Sequence, residues 1–298
     1  MAVLSIQSHV VYGYAGNTAA VFPLQRLGHE VWAINTVEFS NHTGYGAWRG
    51  QVLGAALAED LTLGLEERGV LGQCGAVLSG YMGDPEVGYA VMGAVRRVKA
   101  ANPAALYCCD PVMGDLGRGF YVKPGIPDIF KREVITLADI ITPNQFELEA
   151  LTGMDTSSFA HTRKAIDALH KRGPKVVLVT SFRDGISPLS TEKIPPQESV
   201  RIEMLASDGT GLYRTGTPEF PFAAGMAGSG DLTASVFLSR YLETKEVGRA
   251  LEMTTASVYG IMEATFKAKS KELRIIQAQE ELVTPTASFE VFLQPPAV

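Results

Sequence analysis

The sequence predicts an α/β fold: a central, mostly parallel sheet with helices on both faces and antiparallel strands at its edge. Three observations predict it. From Ala2 to Thr180 short apolar runs alternate with stretches of helical length, the pattern of βαβ units. Turn-forming Gly, Asp, Asn and Pro separate these runs. Beyond Ser181 the pattern changes to Val200 to Leu205, apolar at every second position, and then to Leu212 to Phe222, rich in Thr, Pro and aromatics. Both of these read as antiparallel edge strands.

Taken in order, Ala2 to Gln7 is the first strand, and His9 to Gly16 the loop after it. Asn17 or Thr18 is placed to cap a helix that reaches Leu27, with Pro23 as a kink and Gly28 as its stop. Val31 to Asn35 supplies the second strand. Ala76 to Ser79 is a third, followed by a helix that Asp84-Pro85 opens and that reaches Lys99. Ala104 to Cys109 is a further strand. Ile140 and Ile141 make a short one, with Asn144 opening the next helix. The helix Thr162 to Lys171 precedes the strand Lys175 to Thr180. After the edge strands, Asp231 to Tyr241 and Val247 to Phe266 are helical, and a third helix reaches Leu282. No internal repeat, low-complexity stretch or linker interrupts the pattern, so residues 1–298 are expected to form a single domain.

Composition narrows the function. With 46% hydrophobic and 19% charged residues the chain is globular rather than disordered. Its formal net charge of −6 argues against a nucleic-acid footprint, which needs clustered Lys and Arg. A phosphate-bearing ligand would have to be held by backbone amides at a helix start and by a metal ion instead. The three cysteines, Cys74, Cys108 and Cys109, build neither a disulfide framework nor a metal-ligand spacing, so a reducing, cytoplasmic setting is expected. The first residues carry no signal-peptide pattern, and no apolar run reaches the ~18 residues of a membrane span.

The sharpest chemical signal is Gly225-Met226-Ala227-Gly228-Ser229-Gly230-Asp231, followed at once by an amphipathic helix. Its glycines permit a tight turn and aim N–H groups from the helix's positive end, which makes an anion site. An acid that closes such a loop stands where it can take a proton from an attacking hydroxyl in phosphoryl transfer. The plainer alternative is a helix-capping Asp231 after an ordinary glycine loop. Asp110, in Asp110-Pro111, falls at the carboxyl end of a strand, where open α/β sheets bind ligands; alternatively it forms a turn with Pro111. Glu147 lies in the first turn of the helix that follows Thr142-Pro143-Asn144, and there it is either a ligand-binding acid or the acid of an Asn144 capping box. Two acids at neighbouring strand ends could hold Mg²⁺, directly or through water, together with phosphate oxygens.

These segments resemble those of the pyridoxal kinases, in the ribokinase-like superfamily, over nearly the whole chain. The most specific part is Gln7-Ser8-His9-Val10-Val11-Tyr12-Gly13-Tyr14-Ala15-Gly16-Asn17, supported by the segment from Asn35 to Thr43 and by Leu78-Ser79-Gly80-Tyr81. The resemblance implies ATP-dependent phosphorylation of the 5′-hydroxymethyl group of a B6 vitamer. It implies Asp231 as base, with the loop amides at Gly228 and Gly230 beside it, and Ser8, Thr43 and Tyr81 lining the pyridine pocket. It further implies that Asp110 and Glu147 organise Mg²⁺ and ATP, that Thr142, Asn144 and Thr180 contact the nucleotide, and that the chain is a homodimer; K⁺ is an open candidate for a second cation. Taken alone, Ser8 and Thr43 could serve only local turn hydrogen bonding, and Tyr81 only core packing.

The segment from Met113 to Val122, with Gly114, Gly117 and Gly119 beside Asp115 and Arg118, resembles the family's lid, which would keep water from the transferred group; an ordinary surface loop is the alternative. Where some bacterial relatives carry a lysine, this chain has Val179-Thr180-Ser181, so no lysine contact to phosphate is assigned. The pair Cys108-Cys109 reads as buried small hydrophobes, His9 and His42 as supporting polar groups, and Lys267 to Lys271 as a solvated helix end. Two other readings remain at this level: a kinase for another small alcohol such as hydroxymethylpyrimidine, or a B6-binding protein with little activity.

Overall fold

The structure, a computed structural model, describes residues 1–186, 201–222 and 226–295. Its strands are β1 (Ala2–Tyr12), β2 (Glu30–Asn41), β3 (Gly50–Val52), β4 (Cys74–Ser79), β5 (Leu106–Cys109), β6 (Gly114–Asp115), β7 (Gly119–Phe120), β8 (Ile140–Ile141), β9 (Val176–Phe182), β10 (Arg201–Ser207), β11 (Leu212–Pro218) and β12 (Phe292–Gln294). The helices are α1 (Asn17–Arg26), α2 (Gly54–Glu67), α3 (Pro85–Ala101), α4 (Ile126–Ile129), α5 (Ile135–Leu137), α6 (Gln145–Thr152), α7 (Phe159–His170), α8 (Ser229–Thr244), α9 (Val247–Lys267) and α10 (Glu280–Val283).

Ten strands form one sheet in the order β12-β11-β10-β9-β8-β5-β4-β1-β2-β3, and β6 and β7 pair separately. The run from β2 through β1, β4, β5 and β8 to β9 is parallel. Antiparallel strands flank it: β10, β11 and β12 on one side, β3 on the other. This is the expected mostly parallel sheet with antiparallel edges. Parallel strands are buried on both faces, and successive side chains point to opposite ones. Accordingly Leu4, Val77, Cys109 and Val177 join a core with α3 and α7, while Val3, Ala76, Cys108 and Val176 join one with α1, α8 and α9. No helix among the described residues is long and apolar enough to cross a membrane.

Several elements differ from expectation. The first strand continues to Tyr12, so His9 to Tyr12 is strand rather than loop; a register shift between Gln7 and His9 lets it follow β2, which itself runs to Asn41. Asn17 and Thr18 are not the cap of α1. Gly16 occupies that position, and Asn17, buried as the first helical residue, donates to Ile34 O (3.1 Å) and to Asn35 Oδ1 (2.7 Å) while accepting from Ser5 Oγ (2.7 Å). Its amide therefore staples α1 to β1 and β2 instead of satisfying the helix's own N–H groups. Thr18 exchanges hydrogen bonds with the backbone of Ala15. The last expected helix shrinks to the single turn α10, because the chain turns out of α9 with Lys269 at φ 49°.

Candidate active site

The glycine loop ends in α8, whose first residues are Ser229, Gly230 and Asp231; Gly225 lies outside the described residues. Gly228 precedes the helix at φ 80°, and a Cβ there would come within 2.3 Å of the Tyr14 carbonyl oxygen. Only glycine meets both demands. The turn is thereby packed against the loop after β1, and the backbone N–H of Gly16 in that loop lies close enough to the Asp231 carboxylate to favour its charged form. Asp231 stays partly open to a cleft of about 310 Å³. Its packed surroundings push its carboxyl pKa upward, and the Gly16 amide opposes that rise.

Asp110 ends the apolar strand β5 and is buried. Thr142, just past the neighbouring β8, donates to its Oδ1 at 3.1 Å, and its Oδ2 faces Gly230, where an added Cβ would lie 4.0 Å away. Burial, reinforced by the Asp231 charge, holds the Asp110 carboxyl well above the ordinary range. Glu147, equally buried, is raised by burial and then by the Asp110 charge. Its two oxygens accept from the amides of Met113 and Asn144, each at 2.9 Å, while Asn144 Oδ1 accepts from the Glu147 amide. The capping box is thus present. It also does more than cap, because it ties α6 to the flap: Asn144 Nδ2 donates to Gly114 O at 2.8 Å.

Among the described residues no group of three or more His, Cys, Asp or Glu could hold a metal alone. Asp110 and Glu147 fit Mg²⁺ in the other mode, in which a few carboxylates share the ion with water and phosphate oxygens. Two interacting buried carboxyls, both held toward the neutral form, are an environment that a divalent cation would relieve.

The cleft brings together Asp110, Thr142, Asn144, Glu147, Thr180, Gly228, Gly230 and Asp231. It does not include Ser8, Thr43 or Tyr81. Ser8 and Tyr81 lie instead by the loop that carries Gly16, and Thr43 sits in a turn of its own. A Cβ on Gly16 would strike Ser8 Oγ at 2.3 Å; Tyr81 packs with Ala15 on the cluster of Val10, Val37 and Phe39; and Thr43 is exposed at the head of a short turn, Thr43–Tyr45. The expected lid is a hairpin of β6 and β7 whose Asp115, Arg118 and Tyr121 line the cleft.

The other wall comes from residues that sequence reasoning left unassigned. β11 and the segment after it supply Thr217, Glu219 and Phe220, and α9 supplies Tyr259 and Met262; the Phe220 and Tyr259 ring centroids are 5.3 Å apart. Arg183 Nε reaches Glu219 Oε2 at 3.1 Å, so the cation nearest the missing lysine is already paired. The aromatic content of Leu212 to Phe222 was the available signal for this wall; nothing local marked Arg183. Cys108 and Cys109 are buried, as read, and burial pushes the Cys109 thiol up to about 12.

Residues 73–275 match the family model described as phosphomethylpyrimidine kinase. The pyridoxal kinase of Rubrobacter xylanophilus is 50% identical over 289 residues, covering 97% of this chain and 96% of its own length. The chain belongs to the pyridoxal kinase family. It is therefore an enzyme of the phosphotransferase class. A second family member, from Corynebacterium diphtheriae, is 46% identical across 98% of this chain and 99% of its own. Among solved structures, Leishmania donovani pyridoxal kinase in complex with ADP and pyridoxamine superposes with a TM-score of 0.88 at 29% identity, covering 99% of both chains. Pyridoxal kinase from Entamoeba histolytica superposes at 0.85 and 27% identity, covering 98% of each.

Proposed function

We propose that the chain transfers the γ-phosphoryl group of ATP to the 5′-hydroxymethyl group of pyridoxal and related B6 vitamers, giving pyridoxal 5′-phosphate and ADP. The observation that carries this reading is Asp231: a carboxylate in the first turn of α8, open to the cleft, beside the loop that carries Gly16 and near the buried Asp110. In this position Asp231 is the general base that takes the acceptor's hydroxyl proton. Burial raises its pKa above that of an ordinary carboxylate, which makes it a stronger base for that proton, while the nearby Gly16 backbone N–H favours its charged form. The amides at Gly228 and Gly230 form the anion hole for charge developing on the transferred group.

Asp110 and Glu147 would hold Mg²⁺, which supplies charge neutralisation for the nucleotide's phosphates. Thr142, Asn144 and Thr180 contact the nucleotide, and Ser8, Thr43 and Tyr81 hold the pyridine ring beside the Gly16 loop. A single domain, a homodimer and a cytoplasmic setting are parts of the same reading, with K⁺ as a candidate second cation.

One observation favours a second reading: the matching family model is that of a phosphomethylpyrimidine kinase. The match begins at residue 73 and leaves out the segments of Ser8 and Thr43, which resemble pyridoxal kinases rather than their relatives. ADP release with pyridoxal, pyridoxine, pyridoxamine and hydroxymethylpyrimidine in turn separates the two; binding of a vitamer without ADP release would indicate a sequestering protein. Asp231→Asn and Asp231→Ala should lower turnover by about 10²–10⁴-fold while ATP affinity persists. Undiminished turnover in either variant removes the base assignment.

A further inference from the structure

Glu272, in the segment after α9, is buried and lies off the cleft wall. Its carboxylate gathers partners from the other end of the chain. Oε2 accepts from the Tyr14 amide at 3.0 Å and Oε1 from the Tyr45 hydroxyl at 2.6 Å, with His42 Nε2 at 3.4 Å from Oε1. No Lys or Arg forms a salt bridge with it among the described residues. Gly13 stands at φ 89°, and a Cβ there would strike Glu272 Oε2 at 2.3 Å, so loop 13–16 is built around this acid. A buried carboxylate without a strong cation is costly unless its hydrogen bonds are made. Here they are made by two separate segments, and each of them leads to the acceptor side of the site. Loop 13–16 packs its Tyr14 carbonyl against Gly228, just ahead of Asp231, and covers Ser8; the turn Thr43–Tyr45 carries Thr43.

We propose that Glu272 is a positioning residue for the alcohol substrate: through Tyr14 and Tyr45 it clamps loop 13–16 and the Thr43–Tyr45 turn into one rigid half-pocket facing Asp231. This rests on the proposed kinase reading and deepens it. The nucleotide half of the cleft, built from β5, β8, α6, β11 and α9, takes no contact from Glu272, so the clamp should govern one substrate and spare the other.

The test compares Glu272→Gln, Tyr45→Phe and the double variant in steady-state kinetics, with pyridoxal and ATP varied separately. Each single change should raise KM for pyridoxal about tenfold, the worth of a hydrogen bond to a charged group, and leave KM for ATP within about twofold. In the double variant the Tyr45→Phe effect should be clearly smaller than in the wild type, because the Tyr45 hydroxyl bonds to Glu272 and the Gln carbonyl is a weaker, uncharged acceptor. Equal rises in both KM values, unchanged KM values with a smaller active fraction, or additive effects would overturn the proposal. If Glu272→Gln fails to fold, Tyr45→Phe decides alone, since Tyr45 sits on an exposed turn. Wild-type turnover with pyridoxal tests the kinase reading separately. Were it nil, calorimetric binding of pyridoxal to the same proteins would still show whether affinity depends on Glu272.

Discussion

Thr142 donates a hydrogen bond to Asp110 and favours its charged form, while burial and the Asp231 carboxylate favour the neutral one. Burial wins, and Asp110 sits well above the ordinary carboxylate range. Replacing it by Asn keeps the shape and removes the charge. Asp110→Asn should therefore raise the melting temperature of the ligand-free protein by about 2 °C or more for each kcal/mol relieved, and should lower ADP release at least about tenfold as a metal-organising carboxylate is lost. Calorimetry beside an ADP assay reads both; a lower melting temperature would sink the account of Asp110 as a strained acid. Asp110 and Asp231 were legible in the sequence because their signals are local, one at a strand end and one after a glycine turn. The packing of the Tyr14 loop on Gly228, the Arg183–Glu219 pair and the Glu272 clamp were not. Each joins residues far apart in the chain, and no single-sequence pattern records which distant partner a side chain finds.

Among the elements, the flap shows how a glycine-rich segment is held in place. Met113 N–H and Gly114 O bond to the Glu147 and Asn144 side chains, and Phe120 meets the ring of Phe146 edge-on with centroids 4.9 Å apart. Phe120→Ala removes that aromatic contact, worth about 0.5–1.5 kcal/mol, and leaves the polar anchor intact. A looser flap admits water, so hydrolysis of ATP without acceptor should rise severalfold relative to vitamer phosphorylation. Phosphate release measured with and without pyridoxal checks this, and an unchanged ratio would return the segment to an ordinary surface loop. Element boundaries were less legible than element types. The rule that places Asn at a helix cap assumes that its side chain serves the adjacent turn, whereas Asn17 finds better partners on β2. Helix α2 went unread although Leu57, Leu61 and Leu65 recur at helical spacing; most of the helix is exposed, with only Ala58 and Thr62 buried.

At the scale of the whole molecule, the parallel order of β4, β5, β8 and β9 sets Asp110, Thr142 and Thr180 side by side at one end of the sheet, and packing of α8 on the opposite core brings Asp231 to them. That convergence has a consequence for stability. Asp110, Glu147 and Asp231 all have raised pKa values, so the folded state keeps protons that the unfolded chain releases from about pH 4 upward. Stability in this group of acids is thus greatest below the unfolded value and falls as pH rises through the folded ones. Asp84 and Asp208 act in the opposite sense: their pKa values are lowered, and the stability they add is lost as pH falls. In the ligand-free protein these three acids should accordingly make the melting temperature decline as pH rises above about 4, the ordinary carboxylate value. Bound Mg²⁺ and ATP should flatten that decline, because a cation beside Asp110 and Glu147 stabilises their charged forms; ATP with a chelator should not. Scanning calorimetry across this window, with and without Mg²⁺ and ATP, gives the answer. A ligand-free melting temperature whose slope with pH is the same in wild type and in Asp110→Asn would mean that this acid ionises freely, and the electrostatic basis for gathering the three at the head of α8 would be gone.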